Sequence, residues 1–129
     1  MTSMDEGIER VVGIDLGTTN SLVGVVTEGR ARLLPDSTGD EMLPSVVGAA
    51  PDGGVLIGRA ARNRRLLDPD GTVVAVKRRM GQPARLRVGK NELSPPQVSG
   101  LILGALLERA EASLHARPKR PRHARPQPA

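Results

Sequence analysis

The sequence predicts an α/β fold, and three observations carry that expectation. Short runs rich in β-branched residues alternate with Gly, Pro and Asp clusters over the first two thirds of the chain, the pattern of strands joined by tight turns. One longer segment, Ser94 to Leu114, repeats apolar residues at helical spacing instead. Leu, Val and Ile supply 32 of the 129 residues, about a quarter, above the roughly 20% level associated with intrinsic disorder. Phe, Tyr and Trp are absent, so the expected core is aliphatic and modest, without the large areas that rings bury.

The elements follow in order. Residues 1–9 place Asp5, Glu6 and Glu9 ahead of the first apolar run and are expected to be flexible. Arg10 to Asp15 and Ser21 to Thr27 are apolar strands separated by Leu16-Gly17-Thr18-Thr19-Asn20, which makes them a hairpin. Gly29 turns the chain into a third strand, Ala31 to Leu34, and the Pro35–Asp40 cluster ends an antiparallel meander. An inserted unit is expected over about residues 40–93. It contains a strand at Ser45 to Gly48, a turn at Pro51-Asp52-Gly53-Gly54, a strand at Val55 to Gly58, a short helix from Arg59 to Leu67 and an apolar run from Thr72 to Val76. Beyond Lys77 the local pattern assigns no secondary structure.

Ser94-Pro95-Pro96-Gln97 is a helix start: Ser94 caps, Pro95 occupies the first turn where its missing N–H is not needed, and Gln97 completes a capping box. Val98, Leu101, Ile102, Ala105 and Leu106 then give one apolar face through Leu114. Gly100 and Gly104 interrupt this helix and have two readings, close approach by a neighbour or simple tolerance of a small residue, each costing about 1 kcal/mol relative to Ala.

From His115 the composition changes to Arg, Pro, Ala and His, with four prolines and no Leu, Ile, Val or Met. Such a segment has no apolar area to offset its ordering entropy, so residues 115–129 are expected to be a disordered basic tail. The tail also explains the charge. It holds five basic residues and no acid, whereas residues 1–114 hold fourteen of each sign. The net +5 therefore describes the tail and not a basic face on the folded part.

No cysteine is present, which excludes disulfides, Cys-based zinc sites and thiol catalysis. Both histidines, His115 and His123, lie in the tail, so a His-dependent triad or metal site in the body is excluded. The acidic start is unlike a signal peptide, and no apolar stretch reaches the ~20 residues needed to span a bilayer. A cytoplasmic location without membrane contact is expected.

The chemistry concentrates in Gly13-Ile14-Asp15-Leu16-Gly17-Thr18-Thr19-Asn20-Ser21. Gly17 lets backbone N–H groups approach a phosphate without an intervening Cβ, and Thr18 and Thr19 add hydroxyls. Asp15 would repel a phosphate directly but suits a magnesium ion bridging phosphate oxygens, held through water because magnesium dehydrates reluctantly. No Gly-x-x-x-x-Gly-Lys-Ser/Thr and no Gly-x-Gly-x-x-Gly occurs, and the turn leads into a strand, so no helix N-terminus contributes.

Asp15-Leu16-Gly17-Thr18-Thr19-Asn20-Ser21 followed by an apolar strand resembles the first phosphate motif of the actin, sugar-kinase and heat-shock-70 ATPase superfamily, in the form typical of DnaK-type chaperones. Leu43-Pro44-Ser45-Val46-Val47 and Ala75-Val76-Lys77-Arg78-Arg79-Met80-Gly81 resemble two further segments of that family. The resemblance covers roughly residues 10–114. It implies an actin-like ATPase (ribonuclease H-like) fold, of which this chain carries an incomplete first lobe. It also implies ATP as the ligand, Mg2+ held by Asp15 through water, and Gly17, Thr18, Thr19 and Asn20 on the β- and γ-phosphates. Lys77 would be the catalytic residue, contacting the γ-phosphate and positioning the attacking water. Arg79 departs from the family, which usually has an apolar residue there.

By the same resemblance the partners are unfolded polypeptides, a J-domain co-chaperone and a nucleotide-exchange factor. The second phosphate loop, the adenosine loop and the peptide-binding domain of the family have no counterpart in these 129 residues. The isolated chain is therefore expected to bind ATP weakly and not to turn it over, to expose an unpaired edge of its sheet, and to be a truncated or frameshifted product whose tail replaces the next strand. Two alternatives remain. A sugar kinase shares the Asp-x-Gly-Thr-Thr turn, but the Pro44-Ser45-Val46-Val47 and Val76-Lys77-Arg78 segments argue against it. A nucleic-acid-binding module would rest on the tail alone, with no aromatic to stack bases.

Overall fold

A computed structural model describes residues 11–114 and a strand at 123–126. The expected flexible segment 1–9 and most of the expected disordered tail lie outside the described residues.

Alternation sets the first sheet. Strand β1 (Val11–Leu16) and strand β2 (Asn20–Thr27) pair antiparallel from Val11↔Val26 to Leu16↔Ser21, and Val12, Ile14, Val23 and Val25 turn one face inward, each at most 5% exposed. Glu28 and Gly29 both adopt positive φ, as the right-handed strand twist demands of a two-residue hairpin turn, and deliver the chain into β3 (Arg30–Leu33), paired with β2 from Gly24↔Leu33 to Thr27↔Arg30. The meander expected from the sequence is thus present, its strand ends lying within one residue of those expected.

The insert forms a smaller sheet. The two-residue β4 (Leu43–Pro44) adds to the end of β2 through Asn20↔Pro44 and Ser21↔Leu43. Then β5 (Val46–Ala49) pairs with β6 (Val55–Ile57) on one side and β7 (Val73–Val74) on the other. Helix α1 spans Arg59–Arg64, three residues shorter than its composition suggested, and the Leu66 and Leu67 expected to extend it are exposed. The run from Thr72 gives only the two residues of β7 before Ala75, at φ 52°, turns the chain into a 3-10 turn at Val76–Arg79. The stretch left open beyond Lys77 resolves into a hairpin of β8 (Leu86–Val88) and β9 (Asn91–Leu93).

Helix α2 (Pro95–Leu114) begins as its sequence demands. Ser94 N–H donates to Gln97 Oε1 at 2.8 Å, and Gln97 N–H donates to Ser94 Oγ at 3.3 Å, a reciprocal cap. Pro95, Val98, Ile102, Leu106 and Ala110 are its buried stripe, laid across β2. Burying each of the larger aliphatic side chains contributes about 1.5–3 kcal/mol. Among the described residues an added Cβ at Gly100 or Gly104 meets nothing within 4 Å, so there these glycines are tolerated small residues and not points of close approach. The stripe joins Val12, Ile14, Val23, Val47, Val73, Leu86 and Val88 in one core shared by the meander and the insert.

One strand was not anticipated. Residues 123–126 form β10, parallel to β1 from His123↔Gly13 to Pro126↔Leu16, where a disordered tail was expected. An open edge pairs through main-chain groups, so a segment without Leu, Ile, Val or Met can still occupy it. Pro126 falls at the last position, where a missing N–H disturbs the ladder least. The edge of β1 is therefore covered. Among the described residues no helix is long and apolar enough to cross a membrane.

Candidate functional site

The end of the β1–β2 hairpin gathers five of the six candidate residues. Asp15 is the penultimate residue of β1, Gly17, Thr18 and Thr19 form the turn, and Asn20 opens β2 opposite Pro44. Gly17 is buried, Thr18 and Asn20 are half-buried, and Thr19 is exposed. No helix runs through this stretch.

Strand parity decides where Asp15 points. Val12 and Ile14 face α2, so Gly13 and Asp15 face the opposite side. On that side Gly13 stands across from Gly24, and two absent side chains leave a cavity of about 300 Å3 bordered by Asp15, Leu22, Arg32 and Leu33. Asp15 Oδ1 is buried there. This cavity does not extend to Lys77. Lys77 lies half-buried on the 3-10 turn, three residues beyond Val74, which pairs with Val46. The small sheet thus carries the lysine segment back toward the strand that starts beside Ser45. Arg79, the departure from the family pattern, is exposed and burdens no packing.

The turn is held by two serines whose role the sequence left unassigned. Gly17 N–H donates to Ser21 Oγ at 3.3 Å, Ser21 Oγ and Ser45 Oγ lie 2.9 Å apart, and the Ser45 hydroxyl donates to the Gly17 carbonyl at 2.8 Å. Ser45 N–H also donates to the Thr19 carbonyl at 2.9 Å. Both side chains are almost fully buried, at 1% and 2% exposure. For Ser21 the available signal was a hydroxyl at the head of an apolar strand, since a buried hydroxyl needs partners; Ser45, 28 residues from Gly17, offered none.

The arrangement suits an oxyanion. Among the described residues the main-chain N–H groups of Thr18 and Thr19 donate to no protein acceptor, and Thr18 Oγ1 is buried without a partner. Unsatisfied donors at a tight turn with a carboxylate behind it are what a phosphate and its cation require. The described residues include no group of three or more His, Cys, Asp or Glu able to hold a metal.

An antiparallel hairpin with a glycine-threonine turn, an acidic residue on its first strand and a long helix laid across it define a mixed α/β protein. The chain belongs to the Hsp70 family: the family model described as Hsp70 protein matches residues 11–88. The Chaperone protein DnaK of Thermoplasma acidophilum is 40% identical over 111 residues, which are 83% of this chain and 18% of that protein. Chaperone protein DnaK of Thermotoga maritima is 38% identical over 112 residues, 86% of this chain and 19% of that protein. The chain thus spans less than a fifth of the length of these relatives. The matches support neither a sugar kinase nor a nucleic-acid module.

Proposed function

We propose that the chain supplies the first phosphate-binding turn of a DnaK-type, ATP-dependent chaperone, within the first lobe of an actin-like ATPase domain. The observation that carries this reading is the braced Gly17–Thr19 turn, with the unpartnered Thr18 hydroxyl buried in it. Thr18 and Thr19 would hold the β- and γ-phosphates through main-chain and hydroxyl donors, and Asn20 would border them. Gly17 shapes the turn, its own N–H being engaged by Ser21. Asp15 would hold Mg2+ through water, and that ion supplies neutralising charge to the phosphate oxygens when bound. Lys77 would contact the γ-phosphate and orient the attacking water, provided its segment closes toward the turn on ligand binding. Unfolded polypeptides, a J-domain co-chaperone and a nucleotide-exchange factor belong to the same reading of the complete chaperone, as does a cytoplasmic location.

These 129 residues contain no Asp-x-Gly-Gly-Gly-Thr segment for a second phosphate loop, so the chain alone binds ATP weakly and does not hydrolyse it. Titration of the isotope-labelled chain with MgATP, followed by NMR, tests this. Shifts at residues 13–21 and around Lys77, with an affinity reduced at least tenfold by Asp15→Ala, are expected; a wild-type spectrum unmoved by millimolar MgATP refutes the phosphate site. Steady-state phosphate release that disappears in Lys77→Ala would show that one lobe suffices for turnover.

A further inference from the structure

We infer that Ser21 and Ser45 are positioning residues for the phosphate-binding turn, closing a hydrogen-bond ring on both polar groups of Gly17 so that Thr18 and Thr19 are left as the donors to the anion. The inference rests on the phosphate reading above for its ligand, and on the geometry alone for the ring.

Proton bookkeeping fixes the direction of every bond. A carbonyl oxygen only accepts, so the Ser45 hydroxyl hydrogen is spent on the Gly17 carbonyl, 2.8 Å away. Ser45 then has only lone pairs to offer Ser21, which makes the Ser21 hydroxyl the donor across the 2.9 Å contact. Ser21 in turn offers lone pairs to the Gly17 N–H at 3.3 Å. The ring therefore runs from Gly17 N–H to Ser21, from Ser21 to Ser45, and from Ser45 back to the Gly17 carbonyl. Each hydroxyl both donates and accepts, the condition under which neighbouring bonds polarise and strengthen one another.

The ring has a consequence for the ligand. Gly17 is drawn into the protein through both its N–H and its carbonyl, and the Thr19 carbonyl is held by the Ser45 N–H. A carbonyl directed at a bound phosphate would repel it, so the two serine contacts remove the turn's misplaced acceptors from the binding side. Ser45 lies between β4, which pairs with β2, and β5, which pairs with β7. It is the point where the insert grips the turn.

The experiment uses the full 129-residue chain, isotope-labelled, as wild type and as Ser45→Ala, Ser45→Thr and Ser21→Ala. Amide hydrogen exchange at Gly17 reads the ring, exchange at Ile102 and Leu106 in α2 reports the fold, and MgATP-induced shifts at Thr18 and Thr19 give the affinity. Ser45→Ala and Ser21→Ala are expected to speed Gly17 exchange at least tenfold with α2 unchanged within twofold, and to weaken MgATP about tenfold. Ser45→Thr, which keeps the hydroxyl, is expected to restore both readouts to within threefold of wild type. Unchanged Gly17 exchange and affinity in the folded alanine variants overturn the inference. If Ser45→Ala unfolds, Ser21→Ala decides by the same readouts. A wild type that protects Gly17 but ignores MgATP defeats the nucleotide reading, while the exchange comparison still decides whether the ring exists.

Discussion

Asp36 shows how much a single side chain organises in a loop without a core of its own. Its Oδ1 accepts the Thr38 hydroxyl, the Asp40 N–H at 3.0 Å and the Thr38 N–H at 2.8 Å. Those bonds, the Thr38 hydroxyl foremost, with help from the Arg109 charge, hold its carboxyl down to about 2. A depressed carboxylate contributes stability that is fully present above its ordinary value of 3.8 and is lost as pH falls through about 2. Loop 35–42 is therefore expected to loosen between about pH 4 and 2, and Asp36→Asn is expected to flatten that dependence. Carboxyl-carbon NMR titration of Asp36, read beside the amide shifts of Thr38 and Asp40, checks both. Arg109 carries the effect into the body, since it donates from α2 to the carbonyls of Leu34 and Glu41.

Among the elements, α2 is the best specified and has room for improvement. Its cap, its buried stripe and its length follow from local residues, because Ser94, Gln97 and a period of 3.6 act within a few positions of one another. With open space at Gly100 and Gly104, Gly104→Ala is expected to stabilise the chain by about 0.5–1 kcal/mol through lost freedom of the unfolded state, and the double variant by about twice that. Equilibrium unfolding in urea followed by circular dichroism measures it; a destabilised Gly104→Ala would mean that a neighbour does approach. The short elements were less legible. Strands of two or three residues such as β7, β8 and β9 complete too few alternations to differ from loop, and their existence is decided by partners far along the chain. The same division runs through the site. Asp15 and Gly17–Asn20 declare themselves within one hairpin, whereas the serine that braces the turn lies 28 residues away from Gly17, beyond the reach of any local pattern.

The whole molecule rests on one aliphatic core spanning the meander, the insert and α2. No aromatic ring contributes to it, so each fully buried aliphatic side chain carries a large share. Leu106 has no exposed surface and meets the meander from α2. Leu106→Ala is expected to cost about 2–5 kcal/mol, a large part of the 5–15 kcal/mol typical of a domain. A urea midpoint that moves by less than a tenth would show that the core collapses around the loss.

The bridge from Ser45 to Gly17 also orders events during synthesis. The hairpin can zip once residue 27 is available, because its contacts are local. The brace needs Ser45 seated, and the strand that begins at Val46 finds its partners in the later stretch 55–74. Until that later stretch has left the ribosome the loop between them stays open at an entropic cost. The nascent chain thus braces this turn only after the strands that carry it have formed.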